Sequence, residues 1–263
     1  MRWSYGRFCG SPFLFISKLT TPKCIPDSLP PPFTRVEVET SEASDSPDTT
    51  STSTSISAFR VSMLGKSVTV GADGMINEIL VNSDPQQPNR TTAALAAPVR
   101  FEVSVGGVIA PLVVKAGAEA KPNADDYGRS VSWNSVASDL NSKISLNVSA
   151  TLDYSGYVDY SVTLEAKVEK ADRLSVSVEV PMAPEAAVFS LGLGRKGGLL
   201  ASWFSEAAGK EQIWKWDGVN GNNALWLGSS GAGVRLFPKV SQSEVTQLYG
   251  VAGSRSLKRA SLN

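Results

Sequence analysis

The sequence contains no histidine among its 263 residues. Imidazole is the usual base that activates a serine or cysteine nucleophile, and it is a frequent zinc ligand. Its absence therefore excludes Ser-His-Asp and Cys-His catalysis, general-base catalysis by histidine and the common His-containing zinc sites.

Cysteine is nearly as scarce, since Cys9 and Cys24 are the only two in the chain. Both precede any recognisable core pattern, and two thiols provide neither a disulfide framework nor a thiolate metal site. No motif in the sequence implies a cofactor or a metal ion, so we expect none.

Excess positive charge is also missing, because 25 Lys and Arg residues balance 25 Asp and Glu residues. A nucleic-acid-binding protein uses surplus basic residues to displace counterions from phosphates, so this composition argues against a nucleic-acid partner. The longest apolar runs are too short to cross a bilayer, and we expect no transmembrane segment.

The chain up to residue 57 lacks the pattern of a folded domain. Residues 1–26 hold no acidic residue and four basic ones, Arg2, Arg7, Lys18 and Lys23. This composition resembles a targeting leader, secretory or organellar, although an unstructured start explains it equally. Residues 40–57 are mostly Ser and Thr and cannot bury enough apolar surface to become ordered. We predict a leader-like, disordered segment over 1–57, a domain over 58–240 and a polar tail over 241–263.

Within the predicted domain, apolar side chains recur at every second position, which is the period of a β-strand. The clearest hairpin turns at Ser155-Gly156. The apolar faces of its two strands comprise Ile144, Leu146, Val148, Ala150, Leu152 and Tyr154, then Val158, Tyr160, Val162, Leu164, Ala166 and Val168.

Two more hairpins are predicted at Gly71-Ala72-Asp73-Gly74 and at Gly106-Gly107, since glycine readily adopts positive φ. Residues 174–182 repeat the alternation, and we expect them to add a third strand to the long hairpin as a meander. Shorter runs with the same pattern follow at 187–193, 224–227 and 233–237.

This pattern predicts an all-β fold, namely an antiparallel two-sheet β-sandwich of roughly ten strands. A disordered N-terminal segment and a short C-terminal tail flank it. No segment shows a persuasive amphipathic helical pattern.

Residues 192–197 match the dinucleotide-binding pattern G-x-G-x-x-G. That motif works because a helix N-terminus follows the glycines inside a βαβ unit and receives the pyrophosphate. Here Gly198 and a short apolar run follow, among strands of antiparallel pattern. We therefore interpret the glycines as a loop.

The most unusual segment is Trp214-Lys215-Trp216-Asp217, with Trp226 close behind it in the sequence. Aromatic rings stack on the apolar faces of sugars, while Lys and Asp can hydrogen-bond to hydroxyl groups. These five residues are thus a candidate glycan-binding surface. The commoner use of such rings is packing inside the sandwich or against another domain, and that alternative stays open.

A glycosidase needs two carboxyl groups placed across the scissile bond. The acidic residues that come into question are Asp125, Asp126, Asp153, Asp159, Glu206, Glu211 and Asp217. Those near hairpins and polar loops are explained as solvated turn residues, and we assign no catalytic residue.

Several segments between residues 59 and 236 occur in a characteristic order. They are VSMLGK (61–66), LAAPV (95–99), SGYVDY (155–160), FSLGLGRKGG (189–198), WKWD (214–217), LWLG (225–228) and AGVRL (232–236). This ordered set resembles the N-terminal domain of glycoside hydrolase family 123-like proteins.

The resemblance implies a β-sandwich that precedes a (β/α)8 barrel. In the family, the barrel hydrolyses N-acetyl-hexosaminides with help from the acetamido group of the substrate, using adjacent Asp and Glu residues. This sequence contains no Asp-Glu dipeptide. A barrel also needs about 250 residues of its own.

We therefore expect a non-catalytic sandwich related to the accessory N-terminal domain of a glycoside hydrolase, acting as a scaffold or as a weak glycan binder. One alternative is a fragment of a glycosidase for N-acetyl-hexosaminides, whose catalytic barrel lies on another chain. The other is a generic protein-interaction sandwich. The expected partners are accordingly a carbohydrate or a separate catalytic barrel.

Overall fold

The structure is a computed structural model. It describes residues 29–40, 57–82, 84, 86–87, 90–166, 174–192, 197–200, 212–215, 224–237, 247–250 and 256–261. Except for residues 29–40 and 57, the predicted leader-like, disordered segment lies outside the described residues.

The described residues form an almost purely β structure of twenty strands, all paired antiparallel. In chain order the strands are β1 (Glu37–Thr40), β2 (Ser57–Met63), β3 (Lys66–Gly71), β4 (Ile76–Val81), β5 (Thr92–Ala93), β6 (Arg100–Val105), β7 (Val108–Ala110), β8 (Val113–Val114), β9 (Asn123–Ala124), β10 (Ser130–Ser138), β11 (Ile144–Asp153), β12 (Val158–Ala166), β13 (Leu174–Pro181), β14 (Phe189–Leu191), β15 (Gly198–Leu199), β16 (Gln212–Lys215), β17 (Leu225–Gly228), β18 (Gly233–Leu236), β19 (Gln247–Gly250) and β20 (Ser256–Ser261).

These strands make four sheets. Sheet one has the order β1-β2-β3-β4-β5, and sheet two has the order β12-β11-β10-β8, with β9 also pairing with β10. Sheet three has the order β16-β19-β20-β13-β6-β7, and sheet four has the order β15-β14-β17-β18.

Sheets one and two pack their apolar faces against each other, which confirms the predicted sandwich. In sheet one, Phe59 and Val61 are buried at alternate positions of β2, and Val131 and Trp133 do the same on β10 of sheet two. The long predicted hairpin is β11–β12, in which Leu152 pairs with Val158 and Gly156 turns at φ +86°. Alternation thus places one face of each sheet in a common core, as antiparallel sandwiches require.

The two sheets are also joined by hydrogen bonds to the turn between β3 and β4. The indole Nε1 of Trp133 donates to the carbonyl oxygen of Gly74 at 2.8 Å, and the hydroxyl of Tyr160 donates to the same oxygen at 3.3 Å. The hydroxyl of Ser135 donates to the Asp73 carbonyl. Gly74 has φ +79°, and a Cβ there would lie 2.6 Å from Ser135 Oγ, so this position requires glycine.

Strand β10 and its tryptophan were not among the predicted elements, although Trp133 is the largest fully buried side chain of the core. Its ring packs edge-on against Phe59, with 5.5 Å between centroids, and against Tyr160 at 6.2 Å. The signal was present in the sequence, because Val131, Trp133 and Ala137 stand two or four residues apart. Serines between them lower the mean hydropathy and hide it.

The predicted meander is wrong. Strand β13 does not pair with β12 but lies between β6 and β20 in sheet three, with Val176 opposite Val103 and Val178 opposite Phe101. Alternation fixes which face of a strand is buried, but it does not select the neighbouring strand. Here the apolar residues of β6, far upstream in the chain, provide the partner.

The hairpins at Gly71–Gly74 and Gly106-Gly107 are confirmed, with Gly106 at φ +59° and Gly107 at φ +86°. The chain before the first of these hairpins is divided into β2 and β3 at Leu64-Gly65, where φ of Gly65 is +68°. Such divisions and several strands of two to four residues, too short to show alternation, raise the strand number above the roughly ten predicted.

The sheets reach beyond the predicted limits of the domain. Strand β1 pairs with β2, so sheet one takes in residues of the segment 1–57 that was predicted to be leader-like and disordered. Strand β20 pairs with β13, so sheet three takes in part of the predicted polar tail.

The position of Trp133 leads to a stability prediction. Trp133→Ala should lower the free energy of unfolding by about 3–5 kcal/mol, because it removes a large buried ring. Trp133→Phe should cost about 1–3 kcal/mol, since the ring remains but the Gly74 carbonyl loses a buried donor. Urea unfolding measures both.

The matched control is Leu140→Ala, because Leu140 is 86% exposed in the β10–β11 turn. That change should stay within about 0.5 kcal/mol of the unmodified chain. A cost below about 1 kcal/mol for Trp133→Ala would contradict the assignment of this ring to the centre of the core.

Candidate functional site

The predicted glycan surface is divided between two sheets. Trp214 and Lys215 end strand β16 of sheet three, whereas Trp226 lies on β17 of sheet four. Trp216 and Asp217 lie outside the described residues. Proximity in sequence therefore does not place Trp226 on the same sheet as the Trp-Lys pair.

The indole of Trp226 lies across a pair of glycines. Gly228 and Gly233 are opposite each other in the β17–β18 pair. A Cβ added to Gly228 would overlap the indole ring, and one added to Gly233 would lie 3.0 Å from its Nε1. The side chain is half-buried. Glycine at both positions thus allows the ring to lie flat against the backbone, which favours a packing role for at least one of its faces.

Trp226 belongs to the outward face of sheet four. Its cross-strand partners are Leu191 on β14 and Arg235 on β18, and Arg235 is exposed. Leu191 is 53% exposed, and Leu199 on β15 is 54% exposed. We call Phe189, Leu191, Leu199, Trp226 and Arg235 the sheet-four face. Sequence reasoning found only Trp226 among them.

Several of the described aspartates stabilise turns. Asp73 Oδ1 accepts the Met75 N–H at 3.0 Å, and Asp153 Oδ1 accepts the Ser155 N–H at 2.8 Å. Asp139 accepts the N–H of Ile144 at 2.8 Å. These bonds are the usual way in which a short carboxylate stabilises a turn.

Asp125 combines a turn with an ion pair. Its carboxylate accepts the backbone N–H of Arg129 and lies 3.1 Å from the guanidinium Nε of that residue. Limited burial alone would raise the pKa of Asp125, but the bonds from Arg129 and the N–H of Ser130 bring it below its ordinary value. The interpretation of Asp125 and Asp153 as turn residues is supported. Glu206 and Glu211 lie outside the described residues.

Asp73 is the described carboxyl group whose pKa is raised. Burial beneath sheet two is the main cause, and the hydrogen bond from the Met75 N–H opposes it. Tyr160 on the opposite sheet has a raised pKa as well, first because of burial and then because of the nearby Asp73 charge. A carboxylic acid with a raised pKa can donate a proton, so Asp73 is the one described acid whose environment suits that role.

The glycines of the G-x-G-x-x-G segment have a packing function where they are described. Gly192 has φ +87°, and a Cβ there would overlap the carbonyl oxygen of Ala224. Gly197 packs against the Leu191 side chain in the same way. Residues 193–196 lie outside the described residues. The strands on either side pair antiparallel within sheet four, in contrast to a βαβ unit.

Two further findings concern metal binding and membrane insertion by the described part of the chain. Among the described residues, no three or more Cys, Asp or Glu side chains form a group that could hold a metal ion. Among the same residues, no helix is long and apolar enough to span a membrane.

The fold and these contacts define an all-β sandwich domain with a cross-sheet tryptophan core. Comparison with known families identifies the family to which this sandwich domain belongs. The model of the third domain of glycoside hydrolase 123 matches residues 55–242, and the chain belongs to this family. No curated protein matches the chain.

The match confirms the family that the ordered segments indicated, and it corrects the position of the domain. The matched unit is the third domain and not the N-terminal one. The error has a simple origin, because sandwich patterning and short segments describe a unit of structure and not its place in a longer protein.

The raised pKa of Asp73 predicts a pH-dependent stability difference. Below about pH 4, Asp73 is protonated in both states and costs nothing. As the pH rises from the unfolded-state pKa to the higher folded-state pKa, the unfolded state ionises first and stability is lost. Asp73→Asn keeps an acceptor for Met75 and should therefore gain stability relative to the unmodified chain between about pH 3 and about pH 7, as measured by urea unfolding.

Asp139→Asn is the control of opposite sign. The N–H of Ile144 holds the pKa of Asp139 below its ordinary value, so its carboxylate contributes stability at neutral pH that is lost in acid. This variant should become less stable than the unmodified chain as the pH rises. Parallel pH curves for the two variants would contradict the assigned environments.

Proposed function

We propose that this family 123 domain is non-catalytic and serves as a structural scaffold in a glycoside hydrolase. One observation carries the proposal: Asp73, Asp125, Asp139 and Asp153 each accept backbone N–H groups in turns. Glycoside hydrolysis requires carboxyl groups that face the scissile bond. These four carboxylates accept hydrogen bonds from their own turns, and they thereby stabilise the sandwich instead.

The electrostatics of these acids support the same conclusion. Asp125 and Asp139 have lowered pKa values and stay ionised at neutral pH, so neither suits proton donation. Asp73 has the opposite shift, but its turn is held by sheet two through the Asp73 and Gly74 carbonyls. Its environment follows from packing of the two sheets.

Hydrolysis of 4-nitrophenyl N-acetyl-β-D-galactosaminide and of the corresponding glucosaminide tests this proposal. The full chain should release 4-nitrophenol at the rate of buffer alone. Asp73→Asn and Asp153→Asn should leave that rate unchanged. Release above background that disappears in the Asp73→Asn variant, while its unfolding curve stays cooperative, would show a catalytic domain.

A second candidate function is weak glycan binding, and Trp226 favours it. Its half-buried indole is aligned between Leu191 and the exposed Arg235 on the outward face of sheet four. A flat ring beside a cation offers stacking on a sugar ring together with hydrogen-bond donors for its hydroxyls. Trp214, Lys215, Trp216 and Asp217 remain part of this proposal as a separate group of candidates.

Intrinsic tryptophan fluorescence separates the two groups. Titration with N-acetylgalactosamine- and N-acetylglucosamine-containing oligosaccharides should give a saturable change that Trp226→Ala removes. The variant with Trp214→Ala and Trp216→Ala is the matched comparison and would remove the change if those rings carry the site. A silent titration with the unmodified chain would exclude both tryptophan groups.

In that case the exposed Phe189, Leu191 and Leu199 would favour the protein-interaction alternative, with a catalytic barrel as one such partner. Apolar side chains grouped on an outward sheet face are more typical of a protein contact than of solvent exposure.

A further inference from the structure

The outer face of sheet two carries mainly short, uncharged polar side chains. On β10, β11 and β12 the outward positions alternate with the buried ones, and most of them hold Ser, Thr or Asn. Three cross-strand rows define what we call the polar face: Ser132, Thr151 and Asp159; Asn134, Ser149 and Ser161; and Val136, Asn147 and Thr163.

Sheet one shows that the fold does not require such a surface. The outward row there runs from Glu39 through Arg60 and Thr69 to Glu78. Arg60 and Glu78 form an ion pair at 3.1 Å. This mixture of opposite charges is ordinary for a solvated sheet. On β10, β11 and β12, by contrast, no outward position holds Lys or Arg.

The composition of the polar face selects its ligand chemistry. Hydroxyl and amide groups both donate and accept hydrogen bonds, so they match a ligand that does the same. The face holds one carboxylate, Asp159, and no cation, so it does not suit phosphate or sulfate groups. Val136 is its one aliphatic side chain. Short side chains also lose little rotamer freedom when a ligand orders them. A neutral, hydroxyl-rich molecule meets all of these conditions.

An exposed aromatic ring lies at one end of this face. Tyr157 is 48% exposed and precedes β12 by one residue, on the same alternation as Asp159 and Ser161. Across the sheet at this end, the Arg129 guanidinium lies 4.6 Å from the ring centroid of Tyr127. An exposed ring beside a row of hydroxyls and a carboxylate offers both stacking and polar contacts.

We infer that the polar face binds a neutral oligosaccharide, which would lie across β10, β11 and β12 with one sugar ring on Tyr157. This inference rests on the proposed function in one respect only, namely that the protein binds a glycan. The site is different from the sheet-four face and contains none of the tryptophans.

Calorimetric titration of the full chain with chitohexaose and with cellohexaose tests the inference. We expect binding of at least one of them. A variant with Asn134→Ala, Ser149→Ala and Ser161→Ala removes the central row, and its dissociation constant should rise about tenfold or more as several hydrogen bonds are lost. Ser62→Ala with Ser67→Ala makes equivalent changes on the outer face of sheet one and should leave affinity unchanged.

Ser149→Lys provides a second variant, since it puts one long charged side chain at the exposed centre of the face. It should also weaken binding, while its thermal unfolding stays close to that of the unmodified chain. Tyr157→Ala should weaken binding without affecting the sheet core. Weaker binding in the central-row variant, in Ser149→Lys and in Tyr157→Ala, together with unchanged binding in Trp226→Ala, would support the polar face as the binding site.

Two outcomes would overturn the inference. Loss of binding in Trp226→Ala but not in the central-row variant would assign the glycan to the sheet-four face and leave the second candidate function standing. Absence of binding to both hexasaccharides at millimolar concentration would exclude the polar face. The scaffold proposal depends on the hydrolysis assay and is not affected by either result.

Discussion

The carbonyl oxygen of Gly74 is the point on which the two main sheets depend. It receives hydrogen bonds from Trp133 and Tyr160, while the Asp73 carbonyl beside it receives one from Ser135. A carbonyl buried between two apolar faces would cost free energy without these donors. The turn that exposes it has Gly74 at positive φ, and Trp133, which donates one of the bonds, is the largest fully buried side chain of the core. Backbone conformation, hydrogen bonding and packing therefore act at one place.

Sequence alone was sufficient for features that depend on neighbouring residues. Alternation predicted β11 and β12, and glycines predicted the turns at Gly106-Gly107 and Ser155-Gly156. It was insufficient where distant segments select each other. Strand β13 pairs with β6 and β20 because of tertiary packing, which no local pattern reports. Strand β10 was missed for a different reason, because serines between its buried residues lower the mean hydropathy and hide the alternation around Trp133.

The candidate sites illustrate the same division. Three tryptophans close in sequence predicted one surface, yet Trp214 and Trp226 belong to different sheets, since strand pairing and not chain distance sets neighbours. The sheet-four face and the polar face both arise from cross-strand register, which joins residues tens of positions apart. Family membership could be read from ordered segments, whereas the position of the domain within the family could not.

Strand β12 ends sheet two within the described part of the chain, and its free edge has a consequence for solubility. A nine-residue edge is a template for pairing with a second copy. Antiparallel pairing centred on Val162 would set Asp159 opposite Glu165, and parallel pairing in register would set each acid opposite itself. Either arrangement brings carboxylates of like charge together. The two acids thus oppose edge-to-edge aggregation at neutral pH.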